Sequence, residues 1–326
     1  MVHEDAPIDL PDEHVAAAIE AWWLEDFEGF RYLRVGGGGY HWNVRSSRST
    51  MFVTVDDLDT KDWLGDDRNS RFEGLSVTLE GAAELREKHG LDFVVAPVRS
   101  VGGAAVVRLD DRYAISLYPF LEATAGIFGG HPCPVRRDVL TMLARLHATP
   151  APSGARYYDQ LRIGMRSELD GFLAEPTQVW SKTPEVEAAQ MVLSHHIDQL
   201  RDRLEQFDEA TQVANQATDV VLTHGEPHPA NMLFGNGSPA LVDWDTLGIS
   251  SPERDLWFVE SDDDALAFYT EATGHEPDRA LMALYRLRWR WDDLAHLTAC
   301  LSAPAESPVI RRYVDAIPPL LADLLA

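Results

Sequence analysis

The sequence predicts an α+β chain in two lobes: an N-terminal lobe built on a mixed sheet, residues 1–118, and a mostly helical lobe, residues 119–326. Strand-like runs dominate the first third of the chain, and helical periodicity dominates nearly everything after Pro119. The change of character falls on a short apolar bend at residues 118–121. With 326 residues and 45% hydrophobic content, the chain is long and apolar enough for such a division.

Taken in order, residues 11–23 open on a proline and continue as an alanine-rich, partly apolar run, which predicts a helix. Residues 30–46 read as two strands around the glycine turn 36–39, and TMFVTV at 50–55 reads as a third. Apolar positions recur at helical spacing through 71–89, with Gly90 placed to cap them. Strand-like runs at 93–108 and 113–118 complete the first lobe. Amphipathic patterns then predict helices at 135–147, 158–173 and 184–207. Helices resume at Pro252, Asp262 and Pro277, and Pro318 and Pro319 are expected to break the last one.

One segment interrupts the helical series. Between His224 and Asp255 the chain reads HGEPHPANMLFGNGSPALVDWDTLGISSPERD: an irregular loop, a short strand, a glycine turn and a second strand ending in Asp. That order brings Glu226, Asn231 and Asp243 to the tips of one hairpin. A carboxylate that can take a hydroxyl proton, beside an amide and a carboxylate that can hold Mg²⁺, is what phosphoryl transfer from a nucleotide requires. Mg²⁺ prefers oxygen ligands and keeps several waters, so two protein ligands and the phosphates suffice. A zinc reading of His224, Glu226 and His228 fails, because Gly225, Pro227 and Pro229 prevent a helix and no P-C-x-x-C pair follows. His228 reads equally well as a packed loop histidine, and Asp245 and Asp255 as structural carboxylates.

The glycines at 36–39 do not fit a dinucleotide fingerprint, since His41 occupies the third glycine position and the strand-like YHWNV follows. Between two strands they suit a loop that covers phosphates with its N–H groups. A net charge of −25 opposes nonspecific binding to nucleic acid or anionic lipid, and leaves a cationic ligand or a solvated acidic surface. No apolar run approaches the length of a membrane helix, and the acidic start MVHEDAPIDL lacks signal-peptide features. The expectation is a cytoplasmic protein, with no protein partner implied. Cys133 and Cys300 match no metal or redox spacing; both are read as small buried or neutral residues, with no disulfide.

Segment 224–255 resembles the catalytic block of the aminoglycoside phosphotransferase family, His-Gly-Asp-x-His-x-x-Asn followed by a strand ending in Asp. LYPFLEATAG at 117–126, VDWD at 242–245, ERDL at 253–256 and YRLRWRWDDLA at 285–295 extend the similarity over most of the chain, nearest to the spectinomycin phosphotransferase branch. The resemblance implies a bilobal protein-kinase-like fold and ATP-dependent, Mg²⁺-assisted phosphorylation of a small cationic molecule, such as an aminoglycoside or aminocyclitol antibiotic or an amino sugar. It makes Glu226 the base, and Asn231 and Asp243 the metal ligands. Gly37, Gly38 and Gly39 would cover the phosphates, while the backbone of Ser116, Leu117, Tyr118 and Phe120 would bind the nucleotide base. Glu122, Asp292 and Asp293 would face the substrate, and His224 and Asp255 would brace the catalytic loop.

Two departures stand out. Glu226 replaces the usual Asp, and its extra methylene moves the carboxylate by about 1.5 Å, where a misplacement of about 1 Å costs on the order of 10²-fold in rate. Pro227 restricts the backbone there and can reset the loop. On the third strand, Thr54 stands where the family has a phosphate-binding lysine. Lys61, Arg45, Arg48 and Arg71 are the cations that could replace it; without one, the alternative is a degenerate, kinase-like sensor of a ligand or nucleotide.

Overall fold

A computed structural model describes residues 7, 9–23, 27–47, 49–158, 161–177, 180, 183–214, 219–235, 238–259, 263–302 and 310–326. The MVHEDA start, Arg48, residues 159–160 and Asp262 lie outside them. The chain divides into two compact units, residues 1–158 with 220–276 and residues 159–219 with 277–326. The catalytic hairpin falls in the first of these together with the N-terminal residues.

In the first unit, α1 (Asp12–Trp23) buries Val15, Ala18, Ile19 and Trp23 along one face. Strands β1 (Phe27–Leu33), β2 (Tyr40–Ser46) and β3 (Thr50–Asp57) precede α2 (Arg68–Glu87), whose start is fixed by a reciprocal capping box between Asp67 and Ser70. Strands β4 (Val107–Arg108) and β5 (Tyr113–Pro119) complete a sheet of order β1-β2-β3-β5-β4. Each pairing in it is antiparallel, where a mixed sheet was expected; short loops join β1 to β2, β2 to β3 and β4 to β5, and α2 lies between β3 and β4. Alternate residues Trp42, Val44, Val53, Val55, Ile115 and Leu117 form one buried face against α1. Trp42 Nε1 also donates to Asp12 Oδ1 at 2.8 Å, fastening the helix to the sheet.

Of the strands expected over 93–108, parted by Gly102 and Gly103, only β4 forms in the sheet. Residues 93–95 leave the sheet to bond the hairpin instead, Leu241 N to Phe93 O and Val95 N to Leu241 O. Next come β6 (Thr124–Ala125) and α3 (Cys133–His147), then helices α4 (Arg166–Ala174), α5 (Pro184–His195) and α6 (Ile197–Ala214) of the second unit. The chain returns through β7 (Val221–Thr223), β8 (Met232–Phe234), β9 (Ala240–Leu241) and β10 (Gly248–Ser250), followed by α7 (Glu253–Leu256) and α8 (Asp263–Thr273). These strands form two small sheets, β6-β8-β9 and β7-β10.

The second unit closes with α9 (Arg279–Ser302) and α10 (Ile310–Leu325). Three expectations are corrected there. The helix expected from 158 begins only at Arg166, after Met165 at φ 48°, and the helix expected over 184–207 is two helices parted at His196. Pro318 and Pro319 lie inside α10, which tolerates the loss of their N–H groups because Ile317, Leu320, Leu321 and Leu324 are buried on one face. Cys133 is exposed and Cys300 half-buried. Among the described residues no helix is long and apolar enough to cross a membrane.

Candidate active site

The site grows from the end of β7. Gly225 takes φ 102°, and a Cβ there would meet the Arg254 guanidinium at 2.4 Å, so only glycine fits. The Asp255 carboxylate accepts the N–H groups of His224 at 2.8 Å and Gly225 at 2.6 Å, and His147 Nε2–H at 3.1 Å. Burial would raise the Asp255 pKa, but the His147 hydrogen bond, with His224 and Arg254 nearby, holds it below the usual carboxylate value. Arg254 donates to Thr223 Oγ1 and Thr246 O, and Thr246 Oγ1 donates to His224 O at 2.7 Å. A buried network thus holds the loop that carries Glu226.

His224 couples that loop to the strand after it. Its Nδ1 accepts the Glu226 N–H at 3.1 Å, so Nε2 carries the proton and donates it to Val242 O at 3.0 Å. The Glu226 carbonyl accepts His228 N–H at 2.8 Å and the Asn231 amide nitrogen at 3.0 Å, which leaves the Asn231 side-chain oxygen as the end able to bind a cation. Pro227 O accepts from His131 Nε2 at 2.7 Å, so the residue after Glu226 is anchored as well. The Glu226 side chain is about one-third exposed and within reach of a substrate. His228 is a packed loop residue, its ring edge-on to Phe128 and Phe258.

Asn231 O accepts Val242 N–H at 3.0 Å, so Asn231 lies directly across from the residue before Asp243. Asp243 adopts φ 66°, a left-handed conformation costing roughly 1–2 kcal/mol for a residue with a side chain. Strain of this kind marks functional positions, where surrounding structure enforces it. Solvent reaches the Asp243 carboxylate, yet the enclosing protein, and then Asp245, Glu226 and Asp56, push its pKa well above the usual range.

Opposite stands Lys61, buried, with Nζ 2.9 Å from Asp56 Oδ1 and 2.7 Å from Asp245 Oδ2. Burial opposes its charge, but Asp245, Asp56 and Asp243 outweigh burial and raise its pKa well above the ordinary lysine value. Asp243, Asp56 and Asp245 surround a single ammonium, and a divalent cation beside Asp243 would favour its ionised form. All the donors are oxygens, as Mg²⁺ prefers, and no group of three or more His, Cys, Asp or Glu among the described residues could hold a metal by itself. Asn231 and Asp243 therefore fit an ion whose remaining ligands are phosphate and water.

The glycine turn folds onto this cluster. A Cβ at Gly39 would lie 3.1 Å from Val55 O and 3.4 Å from Asp56 Oδ1, while Gly37 and Gly38 remain exposed. In the linker, Ser116 is buried, Leu117 O accepts Val98 N–H and Phe120 N–H donates to Thr50 O, so part of the backbone expected to meet the nucleotide base is engaged in the sheet. Burial, followed by Asp56, raises the Tyr118 pKa, and Asp243 and Asp245 add to it; its hydroxyl accepts Ser116 Oγ–H at 3.4 Å. Phe120 and Glu122 are exposed. In the second unit, Asp292 Oδ1 accepts Gly164 N–H at 2.6 Å and the other oxygen pairs with Arg288, whereas Asp293 is more open, with Arg290 at 3.4 Å. Sequence reasoning missed Asp56, His147, Thr246 and Arg254, whose roles depend on partners distant in the chain.

Burial lowers the pKa of both His224 and His228 to about 4, so both are neutral in the folded protein. Each would titrate near 6.5 when unfolded, so between about pH 6.5 and 4 the unfolded state holds the extra protons and stability falls with pH. Per histidine the loss by pH 5 is about 2 kcal/mol. Urea denaturation at pH 7 and pH 5 should show the wild type losing about that much more than His228→Gln; equal losses would contradict the neutral assignment.

A model of the phosphotransferase enzyme family matches residues 115–301. Protein StrN of Streptomyces griseus is 24% identical over 232 residues, 68% of each chain. Among solved structures, spectinomycin phosphotransferase APH(9)-Ia, in complex with ADP and spectinomycin, superposes with a TM-score of 0.76 at 15% identity, covering 97% of this chain and 98% of its own. The microcompartment-associated aminopropanol kinase gives 0.59 at 15% identity over 96% and 95%, and choline kinase LicA from Streptococcus pneumoniae gives 0.54 at 12% over 95% and 98%. At such identities the shared property is the kinase-like fold.

Proposed function

Because the chain belongs to the phosphotransferase enzyme family, we propose that it transfers the γ-phosphoryl group of ATP to a hydroxyl of a small cationic molecule of aminoglycoside, aminocyclitol or amino-sugar type. The observation that carries this reading is the hairpin itself: Glu226, Asn231 and Asp243 are tied to one another through His224 and Val242, beside the cluster of Asp56, Lys61 and Asp245. The acceptor oxygen bonds to the γ-phosphorus as the bond to the bridging oxygen of ADP breaks, and the hydroxyl proton goes to Glu226. Mg²⁺ bound by Asn231 and Asp243 would neutralise charge on the phosphates. The N–H groups of residues 37–39 cover those phosphates, and the linker at Ser116, Leu117, Tyr118 and Phe120 holds the base through the backbone groups that the sheet does not use.

Glu122 and Asp293 are the carboxylates best exposed for a cationic substrate, while Asp292 is held by Gly164 and Arg288 and serves to shape the segment. ATP as donor goes with a cytoplasmic location. Incubation with γ-labelled ATP, Mg²⁺ and a panel of aminocyclitols, amino sugars, peptide antibiotics and neutral sugars tests the reading. Labelled product is expected with a cationic acceptor, and Glu226→Gln should lower kcat by roughly 10²–10⁴-fold with KM for ATP unchanged. The uncharged Thr54 favours one other reading, a sensor without turnover. Nucleotide binding with no transfer to any acceptor would select it.

A further inference from the structure

We propose that Lys61 is the phosphate-contacting cation of this protein, supplied by the turn after β3 instead of by the strand itself, and that Asp56 and Asp245 are positioning residues for its ammonium. The inference rests on the kinase reading and deepens it. On β3, Thr54 offers only a hydroxyl, 3.2 Å from His41 Nδ1. The other described cations of the N-terminal region have different tasks. Arg71 donates to the carbonyls of Gly65, Leu58 and Asp59, Arg45 lies over Gly29 on β2, and exposed Lys88 pairs with Glu84.

Lys61 alone of these stands among the site carboxylates. Asp56 lies two residues beyond Thr54 and beneath Gly39, and Asp245 lies two residues beyond Asp243. The ammonium therefore lies among β3, the glycine turn and the turn after β9, which ends at Leu241 and not, as expected, at Asp243. The turn that delivers it is fixed: Asp57 accepts Asp59 N–H at 3.0 Å, Arg71 bonds the carbonyls of Leu58 and Gly65, and the Trp63 ring lies 5.3 Å from Nζ.

A purely structural role fits less well. Buried ion pairs are readily replaced by apolar residues without loss of stability, and a structural pair would be balanced. Here one ammonium meets Asp56 at 2.9 Å and Asp245 at 2.7 Å with Asp243 close by, and a Mg²⁺ ion accompanying the nucleotide would add the positive charge that favours these carboxylates in their ionised form. The ammonium can then share its hydrogen bonds between Asp56 and a phosphate oxygen, since it carries three donors.

The sequence holds three lysines, Lys61, Lys88 and Lys182, which makes a chemical test selective. An acyl-phosphate derivative of ATP transfers its acyl group to a lysine nitrogen beside the phosphates, with ATP as the leaving group. Full-length protein treated with this probe and Mg²⁺, then digested and analysed by mass spectrometry, should carry the acyl group on Lys61, and excess ATP should block it. Lys61→Met should weaken MgATP binding at least tenfold by calorimetry, and adding Thr54→Lys to it should restore binding and move the label to position 54. Labelling confined to Lys88 or Lys182, in protein whose melting temperature rises with MgATP, would overturn the assignment while leaving the kinase reading intact. Wild-type protein that shows neither a MgATP-dependent shift nor transfer would remove the kinase reading, and this inference with it.

Discussion

The Asp243→Asn variant is expected to be more stable than the wild type and nearly inactive. Its carboxylate sits at φ 66° among Asp245, Glu226 and Asp56, an arrangement that disfavours the charged form. Asparagine keeps the shape, tolerates the left-handed backbone and removes the repulsion. Without Mg²⁺ the gain should be roughly 0.5–2 kcal/mol, the usual yield when a functional constraint is relaxed. Turnover should fall by at least about 10³-fold, because charge developing on the transferred group loses a metal held in place. Urea denaturation in EDTA, together with kcat at saturating Mg²⁺, reads both effects. A variant that is less stable and still turns over would remove Asp243 from the metal assignment.

Asp255→Ala should act in the opposite sense on stability, costing roughly 3–5 kcal/mol. The carboxylate accepts from His224 N, Gly225 N and His147 Nε2, all buried, and alanine strands those donors without water. Because the same two backbone groups set the path of the loop, kcat should fall with stability. Partial rescue is expected from Asp255→Asn, whose remaining oxygen can serve one donor. Denaturation midpoints for the three proteins decide the matter; an alanine variant as stable as the wild type would mean that the network does not hold the loop.

The hairpin could be read from sequence because its chemistry is local: glycine and proline punctuate a short stretch in which base, amide and carboxylate follow in order. The helices α1, α2 and α3 were readable for a similar reason, since period and caps lie within each segment. Lys61 was recognisable only as one of four cations, because its partner Asp245 is 184 residues away and their meeting depends on how the turn after β3 bends. Residues 93–95 were misread as part of the sheet because their β-like composition does not reveal which strand they join; they bond Leu241. Pro318 and Pro319 failed as helix breakers because burial of one face of α10 outweighed two missing N–H donors.

The chain leaves its first unit after residue 158, returns at 220 and leaves again after 276. During synthesis, at about 5–20 residues per second, residues 1–158 therefore exist for roughly 4–17 s before Leu241 has been made. Over that interval Phe93 and Val95 have no Leu241 to bond, and Tyr157 has no Ile249. A nascent chain of this topology carries unpaired backbone and apolar surface for much of its time on the ribosome. Slower codons after position 158 would lengthen that exposure and lower the soluble yield without changing a single contact of the finished molecule.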